Sequence, residues 1–255
     1  MDTLLLDRRK CFDSPPIESG EVHLWWLPLD VSAALIEKFQ LVLSDRQREK
    51  MDRLPDKKKQ RHYIAGRGYL HQLLEHYLPK EASLELTLGE QGKPALKDKS
   101  LDLHFNFTDT CGYGLFALST DSELGLDVEN TFREGDFERI IQRRFAFPEQ
   151  DYLRSIPRQQ QNEYFLRCWT RKEAFGKLLG CGLNYTLRDH IMCLNLSQSE
   201  FEYQSAGGNR QVPEKKMWQG QQFVIEQDQD RYVACLFSEG IKHKELSAFT
   251  LVEDQ

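Results

Sequence analysis

The sequence predicts an α+β fold in two lobes, on three observations. An apolar run, Glu21–Leu29 (EVHLWWLPL), reads as a buried strand closed by Pro28. A long stretch of helical periodicity follows it, and strand-like pieces cluster after that helix. At Glu123 a similar order of strand and then helix begins again, so the expected division is an N-terminal lobe, residues 1–122, and a C-terminal lobe, residues 123–255.

The elements justify this in order. Asp45 to Lys59 is dense in Arg, Lys and Glu; Tyr63, Ile64, Leu70, Leu73, Leu74 and Tyr77 then recur at helical spacing until Pro79. Leu84 to Leu88 alternates as a short strand, GEQGKPAL makes a turn, and HFNFTD and GYGLFALS form two further strands. In the second half we expect a strand at LGLDVE, helices at Phe137–Phe145 and Asn162–Leu179, and strands near Ile191–Leu196, Phe223–Glu226 and Tyr232–Phe237. Residues 204–222 read as an exposed loop.

Composition narrows the function. A 40% hydrophobic content supports a packed core, and 34 basic against 40 acidic side chains give a net charge of -6, a poor field for nucleic acid. No stretch approaches the roughly 18 apolar residues of a membrane span, and the apolar patch near the start is too short for a signal peptide, so a cytoplasmic protein is expected. Six cysteines without a C-x-x-C pair suggest reduced, mostly buried thiols rather than a zinc site or a disulfide framework.

Two motifs can carry chemistry. In Gly125-Leu126-Asp127-Val128-Glu129 a strand turns alternate residues to one face, so Asp127 and Glu129 stand side by side while Leu124, Leu126 and Val128 anchor the other face. Paired carboxylates favour a hard cation, although a solvated strand face is the commoner meaning of the pattern alone. In Trp169-Thr170-Arg171-Lys172-Glu173-Ala174-Phe175-Gly176-Lys177, the residues Trp169, Glu173 and Lys177 share one helix face. Alone, that Glu–Lys pair is an ordinary surface ion pair. Gly180 and Gly182 end the helix, with Leu183 in the apolar turn that follows.

Together, Gly-x-Asp-x-Glu followed by Trp-x-x-Lys-Glu-Ala-x-x-Lys resembles the paired signature of the surfactin-type 4′-phosphopantetheinyl transferases. Gly66-Arg67, Gly92-Lys93-Pro94, Asn106-Phe107-Thr108 and Arg144-Phe145 ahead of Glu149 stand in that family's order. The resemblance implies two similar lobes in pseudo-twofold arrangement with the active site in the cleft between them. It further implies Mg2+ held by Asp127, Glu129 and Glu173, and transfer of phosphopantetheine from coenzyme A to a serine of an apo acyl or peptidyl carrier protein, by a monomer. Glu173, Lys177 and Asp127 are the implied catalytic residues, with Glu173 serving as ligand, base or both. Arg61, Arg67, Gly92, Lys93, Pro94, Asn106, Phe107, Thr108, Asp109 and Lys177 are the implied coenzyme A contacts. One departure stands out: Asp109 occupies the place where the family commonly has a histidine on the substrate's 3′-phosphate, and an ionised carboxylate cannot donate that hydrogen bond. The exposed arginines Arg139, Arg143 and Arg144 are candidates for steering an acidic carrier. The rival reading is a non-catalytic protein of the same fold that binds a carrier protein or a nucleotide; retention of all three carboxylates and the lysine stands against it.

Overall fold

A computed structural model describes residues 1–133, 135–181, 190–193, 195–196, 198–204, 217–239 and 245–252. In it two five-stranded sheets pack face to face, with helices on both outer faces. The first sheet has the order β2 (Asp7–Arg9), β12 (Glu245–Leu251), β3 (Glu21–Pro28), β7 (Tyr113–Ser119), β6 (His104–Thr110). In the second, β1 (Asp2–Thr3) and β9 (Glu200–Gln204) share one edge of β10 (Met217–Gln227), which is followed by β11 (Asp230–Glu239) and β8 (Leu124–Asn130). A separate hairpin pairs β4 (Leu86–Leu88) with β5 (Pro94–Leu96).

Strand alternation produces the layers. Along β3, Trp25 and Leu27 enter a core with α1 (Ala33–Leu41) and α3 (Lys57–Tyr77), while Val22, Leu24 and Trp26 meet Leu124, Leu126, Val128 and Ile225 between the sheets. The third core joins Phe165, Phe175 and Leu178 of α6 (Arg158–Leu179) to Trp218 and Phe237. Trp25, Trp26 and Trp218 are at most 1% exposed, so each core is built around a large aromatic group.

The expected mixed α+β fold is present, and the junction at residues 122/123 separates β7 from β8. The chain ends cross that junction, however. β12 from the C-terminal half pairs in parallel with β2 and β3, and β1 pairs in parallel with β10 of the second sheet. Parallel partners so distant in sequence leave no local periodicity to read.

The single basic helix expected from Asp45 is two helices, α2 (Asp45–Asp52) and α3, and α1 precedes them. Ser44 and Gln47 close a capping box on α2, and Asp56 caps α3 by accepting from the Lys59 amide at 2.7 Å. Helices α4 (Phe137–Arg144) and α5 (Phe147–Ser155) follow β8. The strand expected near Ile191–Leu196 is absent among the described residues there. The loop expected over 204–222 gives way at Met217 to β10, where Gln222 is buried and bonds the Arg171 guanidinium at 2.8 Å; residues 205–216 lie outside the described set. Cys168 and Cys193 form a disulfide, while Cys11 and Cys111 are exposed, both departures from the reduced, buried reading. No described helix is long and apolar enough to cross a membrane.

Candidate active site

The site lies where β6, an edge of the first sheet, meets β8, an edge of the second. Asn106 Oδ1 accepts from the Leu126 amide at 2.9 Å, so a side chain takes the place of a strand partner at this seam. Helix α6 crosses β8 at Gly125, where a Cβ would lie 2.0 Å from the Ala174 carbonyl oxygen. The missing side chain lets helix and strand touch, which brings the face bearing Glu173 and Lys177 onto Asp127. The helix ends at Gly180, whose φ of 64° is the left-handed conformation of a C-cap. Gly182 and Leu183 lie outside the described residues.

Lys177 donates to Asp127 Oδ1 at 2.6 Å and to Thr108 Oγ1 at 2.9 Å, and the Thr108 hydroxyl donates to the same Asp127 oxygen at 3.1 Å. The other oxygen, Asp127 Oδ2, is buried without a hydrogen-bond partner. Glu129 is paired with Arg133, whose guanidinium also lies 6.0 Å from the Trp169 ring. Burial pushes the Asp127 carboxyl up, against the pull of Lys177. Burial first, and the neighbouring Asp127 charge second, raise Glu129 and Glu173 each to about 7. The Asp127 charge thus disfavours ionisation of Glu129 and Glu173, and one buried Asp127 oxygen is orphaned. That is the donor chemistry a hard divalent cation satisfies, so these residues fit such an ion. Their oxygens are not drawn into one tight cluster: the set of three candidate ligand atoms within 4.8 Å of one another, among the described residues, is Glu149, Cys168 and Cys193. There both sulfurs are joined and Glu149 is committed to Lys172, which leaves no vacancy for a metal.

A cavity of about 220 Å³ opens beside Lys177 and Glu173, and it is lined by Arg67, Gly92, Lys93, Pro94, Asn106 and Phe107 together with Gln91, Gly176 and Gly180. Arg67 is held between aromatic rings, its guanidinium carbon 4.6 Å from the Phe107 centroid and 5.0 Å from that of Tyr63. Most of the expected contact set therefore converges. Four members stand apart or are otherwise engaged. Arg61 donates to the Val31 carbonyl at 2.6 Å and does not line the cavity. Lys93 lines it with its stem, but its ammonium donates to Glu123 at 2.7 Å, the Leu124 carbonyl at 3.0 Å and the Leu178 carbonyl at 3.2 Å, three acceptors for three protons. Thr108 is buried beneath Asp127 and Lys177 rather than on the cavity wall. Asp109 is exposed and lines a different hollow of about 140 Å³ with Lys50, His62, Tyr63 and Arg67.

Lys172, though part of the helix motif, has no place in the cleft. It is 0% exposed, paired with Glu149 at 2.8 Å and bonded to the His190 carbonyl, while Glu149 also accepts from the Met192 amide at 2.8 Å. Sequence reasoning missed Glu123, Arg133 and Lys93's role as a strut. Glu123 and Lys93 are 30 residues apart in sequence, and no local signal links them.

A profile of the 4′-phosphopantetheinyl transferase superfamily (ACPS) matches residues 123–236, which include β8 and α6. The chain is similar to the 4′-phosphopantetheinyl transferase HetI of a Nostoc species, 33% identical over 168 residues, 65% of this chain and 71% of that protein. It is 31% identical to AcpT of Escherichia coli K12 over 129 residues, 51% of this chain and 63% of the relative. With Sfp of Bacillus subtilis it shares 28% identity over 152 residues, 59% of this chain and 66% of the relative. Asp127, Glu129, Glu173 and Lys177 lie within the matched region, and the chain belongs to the 4′-phosphopantetheinyl transferase superfamily, as an enzyme of that activity.

Proposed function

We propose that the protein transfers the 4′-phosphopantetheine group of coenzyme A to a serine hydroxyl of an apo carrier protein, with magnesium, as a cytoplasmic monomer of the surfactin-type branch. The observation that carries this is the junction of an acidic cluster and a cationic cavity. Asp127, Glu129 and Glu173 stand at one end, and Lys177, bonded to Asp127, borders a space walled by Arg67. A diphosphate needs cations and a serine nucleophile needs a base, and this site offers both within one cleft.

Asp127, Glu129 and Glu173 are the residues that would hold magnesium. Bound there, the ion would supply charge neutralisation on the diphosphate. Arg67, fixed by Tyr63 and Phe107, presents a planar fork suited to phosphate oxygens. Lys177 adds a mobile ammonium, and Thr108 keeps it near Asp127. Glu173, which lines the cavity, accepts the serine proton as the hydroxyl oxygen bonds to the phosphorus nearest pantetheine. The bond from that phosphorus to the bridging oxygen breaks, and 3′,5′-ADP leaves. Arg139, Arg143 and Arg144, exposed on α4, are the proposed steering surface for an acidic carrier.

The test is to incubate protein, apo carrier, coenzyme A and magnesium and to weigh the carrier by mass spectrometry. A gain of one phosphopantetheine, abolished by EDTA and by Asp127→Ala or Glu173→Ala, is expected; an unmodified carrier with every acyl and peptidyl type tried rejects the reading. Charge reversal of the three arginines should slow association at low salt, and an unchanged rate removes the steering role.

A further inference from the structure

Among the described residues, Lys172, Lys93 and Lys177 reach the region around α6, and they differ in what holds them. Lys172 is sealed between Glu149 and a backbone carbonyl at 0% exposure. Lys93 is committed to one carboxylate and two carbonyls. Lys177 is 30% exposed, borders the cavity, and is held by two side-chain oxygens, those of Asp127 and Thr108. Its main partner is itself unusual: Asp127 has a side chain 7% exposed, one oxygen engaged by Lys177 and Thr108, and the other buried and unpartnered. Glu129, next on the same strand face, carries Arg133 in the same way.

We infer that Lys177 is a resident counter-ion of Asp127 that gives up this carboxylate when a divalent cation binds and then turns its ammonium toward the anionic substrate in the adjoining cavity. The inference rests on the reading of Asp127 as a magnesium ligand. An ammonium at hydrogen-bond distance from one carboxylate oxygen and a divalent ion on the other would stand only about 4–5 Å apart in a buried setting, where like charges repel strongly. That repulsion favours withdrawal of one of them, and the lysine has both a flexible stem and an open space beside it. Thr108 bonds both partners, so it can keep the ammonium close after the exchange. The arrangement also explains how a nearly buried carboxylate is tolerated in the metal-free protein, since an unpaired charge there would be costly. It makes Lys177 a competitor of the metal in the absence of substrate and its helper once phosphate is present.

Binding of Mn2+ alone, followed by calorimetry and electron paramagnetic resonance without nucleotide, tests this independently of catalysis. Lys177→Met is expected to bind Mn2+ about tenfold more tightly than the unaltered protein. Lys177→Arg, which keeps the cation, should retain the original affinity. In EDTA the Met variant should melt at a lower temperature than the unaltered protein, and Mn2+ should raise its melting point by the larger amount. If Lys177→Met binds Mn2+ equally or more weakly while Asp127→Asn abolishes binding, the exchange is refuted and the metal site stands. If the unaltered protein and Asp127→Asn both fail to bind Mn2+, the metal reading falls and this inference with it.

Discussion

The backbone of Gly125 lies against the Ala174 carbonyl, so close that a methyl group at position 125 would meet that oxygen at 2.0 Å and the Leu178 amide nitrogen at 2.4 Å. Both contacts are with main-chain atoms, which cannot rotate aside. Gly125→Ala should therefore separate α6 from β8 and lower stability by about 1–3 kcal/mol or more in urea melts, with activity falling further because Glu173 and Lys177 ride on the displaced helix. Gly66→Ala is the control. Its added Cβ meets nothing within 4 Å in the interior of α3, and a gain of about 0.5–1 kcal/mol is expected.

Lys172 and Lys177 are neighbours in the motif but not in role. Lys172→Met leaves Glu149 charged and buried, and denaturant unfolding should show a loss of about 3–5 kcal/mol. Lys177→Met removes a partly exposed ammonium and should lose transfer activity with a much smaller loss of stability. Equal losses of stability would show that both lysines are structural.

Acid should loosen the contacts of Glu123 with His104 and Lys93. The hydrogen bond from His104, with Lys93 beside it, holds the Glu123 carboxyl down at about 2. A depressed carboxyl contributes stability that is fully present above its unfolded value near 4.5 and is lost as pH falls toward 2. Glu123→Gln should flatten the acid-unfolding curve in that window and leave the curve above it nearly parallel to that of the unaltered protein. Unchanged steepness below pH 4.5 would show that the contacts of Glu123 contribute nothing to acid stability.

The two arginines of the early helix are expected to differ. Arg67 lines the cavity and Arg61 is tied to Val31. Steady-state kinetics with coenzyme A should show KM raised about 10–100-fold by Arg67→Ala, or roughly 1.4–2.8 kcal/mol, with little change for Arg61→Ala. The reverse order would place the anion nearer Val31.

Asp109 faces a hollow that also holds Lys50 and Arg67, so its carboxylate is a negative group in otherwise cationic surroundings. Asp109→His should keep or lower KM for coenzyme A, because it removes a charge that repels phosphate. A large rise in KM would show that Asp109 organises the neighbouring cations instead.

Local chemistry carried much of this protein. Apolar, strand-like runs marked β3, β6, β7 and β8, and alternation along β8 set the side to which Asp127 and Glu129 turn. Helical spacing placed Glu173 and Lys177 on one face of α6, and glycine ended that helix. These features depend on a residue and its near neighbours, so they are written in the sequence itself. Only the tertiary structure decided which strands the chain ends join, that Lys93 ties to Glu123, Leu124 and Leu178 while Arg67 walls the cavity, that Arg61 looks elsewhere, and that Lys172 is buried while Lys177 touches Asp127. The physical reason is that a cation takes whichever acceptor folding brings within about 3 Å, and for these side chains those acceptors come from distant segments whose meeting leaves no pattern along the chain.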